Sequence, residues 1–65
     1  MEPHGCDVCG AESSELPVIY DAQLRFENGR IWAWACEKCF RTFNGRLGTG
    51  KGQKFSNETL KKLEG

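Results

Sequence analysis

The chain has 65 residues, 38% of them hydrophobic, with nine basic and nine acidic side chains and a formal net charge of zero. That length allows one domain whose core is too small to hold it folded unaided, so a metal or a cross-link is expected to contribute much of the stability. No apolar run approaches the length of a membrane-spanning helix, which excludes an integral membrane role of that kind.

The first five residues, Met1 to Gly5, have neither a basic start nor an apolar stretch, so no export signal is expected. Gly5-Cys6-Asp7-Val8-Cys9-Gly10 has the form of a metal-binding knuckle: the x-x spacing lets both sulfurs face one ion, and Gly10 permits the tight turn behind them. Residues 11–15 are small and acidic and read as a solvated loop. Leu16 to Tyr20 is a short apolar stretch that Pro17 is expected to confine to an edge strand or an irregular segment. Asn28-Gly29 then lies between two β-prone runs, Gln23–Glu27 and Arg30–Ala35, as a two-residue hairpin turn requires. Counting outward pairs Phe26 with Ile31 and Leu24 with Ala33. Alternation puts Leu24, Phe26, Ile31 and Ala33 on a core face, and Arg25, Arg30, Trp32 and Trp34 on the other.

A second pair, Cys36 and Cys39, opens a short helical pattern in which Phe40 and Phe43 share a face and Asn44-Gly45 supplies the stop. Residues 46–55 form a glycine-rich basic loop. Ser56 or Asn57 can cap a last helix of about two turns, Glu58 to Leu63, within the C-terminal segment 56–64, with Leu60 and Leu63 facing inward. The domain plan is therefore a single zinc-binding unit over 1–65, with a metal core at 6–45, the basic loop at 46–55 and the C-terminal helix.

Two Cys-x-x-Cys pairs complete a closed tetrahedral site of four thiolates, so Cys6, Cys9, Cys36 and Cys39 are expected to hold one structural Zn²⁺. Without an export signal this spacing favours zinc in a reducing cytoplasm over two disulfides. His4 is then expected to be a free surface histidine. Knuckle, hairpin and a helix supplying the last two ligands is the order of a treble clef. The alternative is a zinc ribbon, in which a glycine follows each pair; here Phe40 follows the second. The expected fold class is thus a small zinc-stabilised α+β domain.

A closed four-cysteine site leaves no open position for catalysis, and the hairpin carries no histidine of the kind that nucleases of this fold use, so no enzyme is expected. Gly45 to Gly52 approaches a phosphate-binding P-loop but ends in Gly52 where a hydroxyl is needed, and it follows a helix instead of a strand. Closely spaced glycines and cations still suit a phosphate. Charge is also unevenly placed, at −4 over residues 1–40 and +5 over residues 41–62. The expected contacts to DNA or RNA are Arg46, Lys51, Lys54 and the backbone of 48–52, with Arg25, Arg30 and Trp32 as secondary contacts. Trp32 and Trp34 are otherwise expected to be covered by the loop and the last helix.

Trp32-Ala33-Trp34-Ala35-Cys36-Glu37-Lys38-Cys39, followed by Leu47-Gly48-Thr49-Gly50-Lys51-Gly52-Gln53 and Phe55, resembles a family of small uncharacterised zinc-finger proteins of bacteriophages and prophages. Those chains share the order CxxCG, WAxxCxxC and GLGTGxGQ, with Arg46 here in place of the first glycine of the last motif. The resemblance covers most of residues 6–55. It implies zinc binding, a phage or prophage origin and a binding role for the glycine-rich segment. The leading expectation is a monomeric, non-catalytic zinc module on nucleic acid, and the alternative is an adaptor binding a host or phage protein.

Overall fold

A computed structural model describes residues 2–65. After the knuckle and a 3-10 turn at Ser13–Glu15 come β1 (Val18–Phe26), β2 (Gly29–Ala35), α1 (Glu37–Thr42), β3 (Gly52–Ser56) and β4 (Lys62–Glu64). The strands form one antiparallel sheet in the order β2-β1-β3-β4.

Pro17 does not confine its stretch to an edge. It sits just outside β1, where its missing N–H breaks no ladder bond, and β1 becomes a central strand flanked by β2 and β3. The hairpin forms, but its two-residue loop is Glu27-Asn28. Gly29 takes the positive φ (130°) and already pairs with Phe26. Leu24 therefore faces Ile31 and Arg25 faces Arg30, a register two residues from the one expected. Because strand side chains alternate with period two, this slip leaves every side chain on its expected face.

One face carries the core: Leu24 and Ala35 are fully buried with Cys6, Cys36 and Cys39, and Phe26, Ala33, Phe40 and Phe43 pack around them. Tyr20 stacks on Phe40 at 4.0 Å between ring centroids, and Phe26 meets Phe43 at 4.6 Å. Ile31 departs from expectation. It lies on this face but is 55% exposed, on an edge strand beyond the cover of a six-residue helix.

The stop at Asn44-Gly45 is realised as a Schellman motif. Asn44 adopts φ 54°, the Gly45 N–H donates to the Phe40 carbonyl at 2.7 Å, and the Asn44 N–H to that of Arg41 at 3.3 Å. A Cβ on Gly45 would collide with the Phe40 ring, so this glycine is set by close approach.

The C-terminal helix does not form. Ser56 caps a single turn, its Oγ accepting from the N–H groups of Glu58 and Thr59. The Leu60 N–H bonds the Ser56 carbonyl, Leu60 turns to φ 63°, and the chain reverses into β4. A helix this short has a costly nucleus and few bonds in return, and pairing with β3 gives its backbone better partners. The glycine-rich segment is not all loop either. Gly52 opens β3, where a Cβ would meet that of Ala22 at 2.6 Å; only glycine lets the strands come this close.

The turn also ties down the N-terminal segment. Asn57, 8% exposed, accepts from the His4 N–H and donates through Nδ2 to the carbonyls of His4 and Leu16. Replacing it orphans these buried groups, so Asn57→Ala should destabilise the metal-loaded protein by about 1–3 kcal/mol in chemical denaturation. The exposed neighbour Glu58→Ala should change stability by less than about 0.5 kcal/mol.

Candidate metal centre

Each cysteine is placed by a local backbone device. In the knuckle the Cys6 N–H bonds the Ala11 carbonyl at 2.9 Å and the Gly10 N–H the Cys6 carbonyl at 3.0 Å, with Gly10 at φ 82°. This turn aims the Cys9 N–H at the Cys6 sulfur, 3.4 Å away. Cys36 directly follows β2 and serves as N-cap of α1, and Cys39 lies in that helix's first turn. Asp7 fastens the two halves together: its N–H donates to the Trp34 carbonyl at 2.8 Å and its carboxylate accepts from the Trp34 N–H at 3.1 Å.

The result brings the four sulfurs within 4.8 Å of one another, with none in a disulfide. A tetrahedral ion with sulfur ligands at about 2.3 Å requires sulfurs about 3.8 Å apart. Cys9 and Cys36 stand at 3.8 Å, far beyond the ~2.05 Å of a disulfide. Three sulfurs are buried and Cys9 is exposed, which leaves an approach for the ion. All four cysteines expected from the sequence are thus together and can coordinate one metal ion.

The thiols are unequal. Burial is the largest influence on Cys6 and acts upward, but hydrogen bonds from the backbone of Cys9, Cys36 and Val8 outweigh it and bring the thiol down to about 6. At Cys36 burial prevails and holds the thiol up. At Cys39 burial and then the neighbouring sulfurs push it up to about 12. Four thiolates in this space repel one another, and a cation at their centre removes that cost.

His4 takes no part in the sulfur cluster, nor is it a free surface side chain. It is half-buried and stacks on Trp34, centroids 3.8 Å apart and planes 7° from parallel. Phe55 meets the same indole at 5.9 Å. Trp34 is thereby covered by the N-terminal segment and β3, not by a last helix. Trp32 remains 48% exposed.

The six residues expected to contact nucleic acid divide. Arg25, Arg30, Arg46 and Lys51 line one cleft of about 230 Å³, together with Gln23 and Asn44. Two long-range bonds assemble it: the Arg25 N–H donates to the Phe43 carbonyl at 2.8 Å, and the Gln23 N–H to that of Lys51 at 3.0 Å. No carboxylate lines the cleft. Among the described residues the single ion pair joins Arg41 to Glu37, so none of these four cations is neutralised in a pair. Lys54 lies elsewhere, on the opposite sheet face, with Nζ 5.7 Å from the centre of the Tyr20 ring. Trp32 sits beside the cleft without lining it.

The backbone of 48–52 is tied into a closed turn. The N–H groups of Gly48, Lys51 and Gly52 close the segment on itself through the carbonyls of Gly52 and Gly48 at 3.0–3.1 Å. Sequence reasoning missed Gln23 and Asn44 in the cleft. Gln23 carried a usable signal, since it alternates with Arg25 on one strand face.

No family model, no curated protein and no solved structure matches this chain. Among the described residues no helix is long and apolar enough to cross a membrane.

Two outcomes test the centre. Cys39→Ser should abolish stoichiometric binding of one metal ion, measured by native mass spectrometry, whereas His4→Ala should leave it in place. Metal affinity should also fall with acid. Near pH 7 the raised thiols of Cys36 and Cys39 hold protons that the ion must displace, and below about 6 Cys6 holds one too. Competition with a chelator across this range should show affinity rising with pH; a flat profile would contradict four-thiolate coordination.

Proposed function

We propose that this chain is a zinc-stabilised, non-catalytic binding module of treble-clef type that contacts the phosphate backbone of nucleic acid. The metal reading rests on the donor set. Four thiolates in a closed tetrahedral arrangement suit Zn²⁺, a borderline-soft ion without geometric demands of its own. The ion would be held by Cys6, Cys9, Cys36 and Cys39 and supply folding energy alone, since a four-sulfur shell has no position for substrate or water. The treble-clef assignment rests on the order of parts: knuckle, hairpin, then a helix whose first turn carries the last ligand.

The observation that carries the nucleic-acid reading is the convergence of Arg25, Arg30, Arg46 and Lys51 on one cleft without a counter-charge. Guanidinium groups bind phosphate oxygens through paired N–H donors, and a lysine adds a mobile point charge. Zero net charge is compatible with this role because the field that matters is local.

A second reading is an adaptor of phage or prophage origin that binds a host or phage protein. It is favoured by the exposure of Ile31 and Trp32 on the edge strand β2. Salt separates the two, because displacement of counterions by phosphate contacts makes affinity fall steeply with salt, and an apolar interface does not behave so.

Arg46→Ala with Lys51→Ala should weaken oligonucleotide binding at low salt and reduce the slope of log K against log salt by roughly one per residue. The amide spectrum should be preserved, because both side chains are exposed. Lys54→Ala, on the other face, should change little. Equal weakening by Lys54→Ala would move the contact away from the cleft.

A further inference from the structure

We infer that the cleft and Trp32 form one site for single-stranded nucleic acid, with the cations on the backbone and the Trp32 indole as platform for an unpaired base. This rests on the nucleic-acid reading above and specifies the form of the ligand. Gln23, Arg25, Arg30 and Trp32 project from the same sheet face, since Gln23 pairs with Trp32 and Arg25 with Arg30. Along β2, Arg30 and Trp32 are two residues apart, or about 7 Å at the rise of an extended strand. A phosphate held between Arg30 and Arg25 therefore places an attached base within reach of the indole.

The platform is held in position. The Trp32 Nε1–H donates to the Asp21 carboxylate, which fixes the ring from its polar edge and leaves 48% of the residue open to solvent. Asp21 is an acidic neighbour on this face, and that bond occupies one of its oxygens. Trp34, two residues on, is unavailable because His4 stacks on it and Phe55 packs beside it. The face therefore offers one open indole beside one group of four unpaired cations.

A duplex would satisfy the cations alone. Its bases are paired and stacked on one another, so the indole would gain no partner. Aromatic platforms on sheets take bases of any identity from single strands, by stacking, and the cations follow the backbone. The site is thus expected to prefer single strands over duplex with little sequence discrimination.

The experiment titrates zinc-loaded full-length protein with a single-stranded DNA, a single-stranded RNA and a hairpin duplex of matched charge, at about 50 mM and about 200 mM salt. Indole emission and amide shifts are followed together. Single strands should quench the emission and bind more tightly than duplex, and the DNA and RNA arms show whether the 2′-hydroxyl matters. Trp32→Ala should remove the quenching and weaken single-strand binding by about five- to 150-fold while duplex binding stays unchanged. Trp32→Phe should recover part of the affinity, because the platform remains.

Equal affinity for single strand and duplex, with Trp32→Ala without effect, would overturn this inference and leave the phosphate-contact reading standing. No salt-sensitive binding to any oligonucleotide would overturn both and turn attention to a protein partner.

Discussion

Convergence of four sulfurs on one point is the constraint on which the rest of this structure depends. The buried apolar residues are few: Ile19 and Leu24 are the largest side chains that are fully enclosed, and three of the four cysteines belong to the core itself. Structural zinc contributes about 10–16 kcal/mol in small finger domains, well beyond what a cluster of this size supplies by burial. Coordination of one ion would also join the knuckle to the junction of β2 and α1, across which Asp7 bonds the backbone of Trp34.

That anchoring explains how a short sheet presents its outer face. Once α1 is fixed beneath β1, the Schellman stop at Asn44 sends the chain back along the free side of β1, where Phe43 and Lys51 accept from Arg25 and Gln23. Arg46 and Lys51 thereby arrive beside two arginines of the hairpin. Asn57 performs the matching task at the other end, holding the N-terminal segment so that His4 covers Trp34. One tryptophan is enclosed and the other left open by features far apart in the sequence. The sulfur cluster ties the scaffold together, and the cleft is a consequence of how the chain returns across it.

The parts legible in the sequence were those decided by local chemistry. Two Cys-x-x-Cys pairs specify a metal site through spacing alone, and Asn44-Gly45 specifies a helix stop because few other residues accept a left-handed backbone. The hairpin faces were also readable, since the register slipped by two and alternation absorbed the error. Ser56 was a true capping signal, but a cap does not fix helix length, and the following residues found better partners in β3. β3 was hidden because glycine reads as loop from composition, whereas Gly52 is there for close approach to Ala22. The cations of the cleft were each identifiable. Their grouping, and the separation of Lys54 from it, depend on β1 being a central strand, whereas Pro17 reads in the sequence as an edge or irregular segment.

Metal-dependent folding is the central claim, and the most direct test is a two-dimensional amide spectrum recorded before and after chelation, then after one equivalent of Zn²⁺. The account predicts a dispersed spectrum that collapses on metal removal and returns at one equivalent per chain. A spectrum that stays dispersed without metal would contradict it, because the sheet and its core would then hold without the sulfur centre.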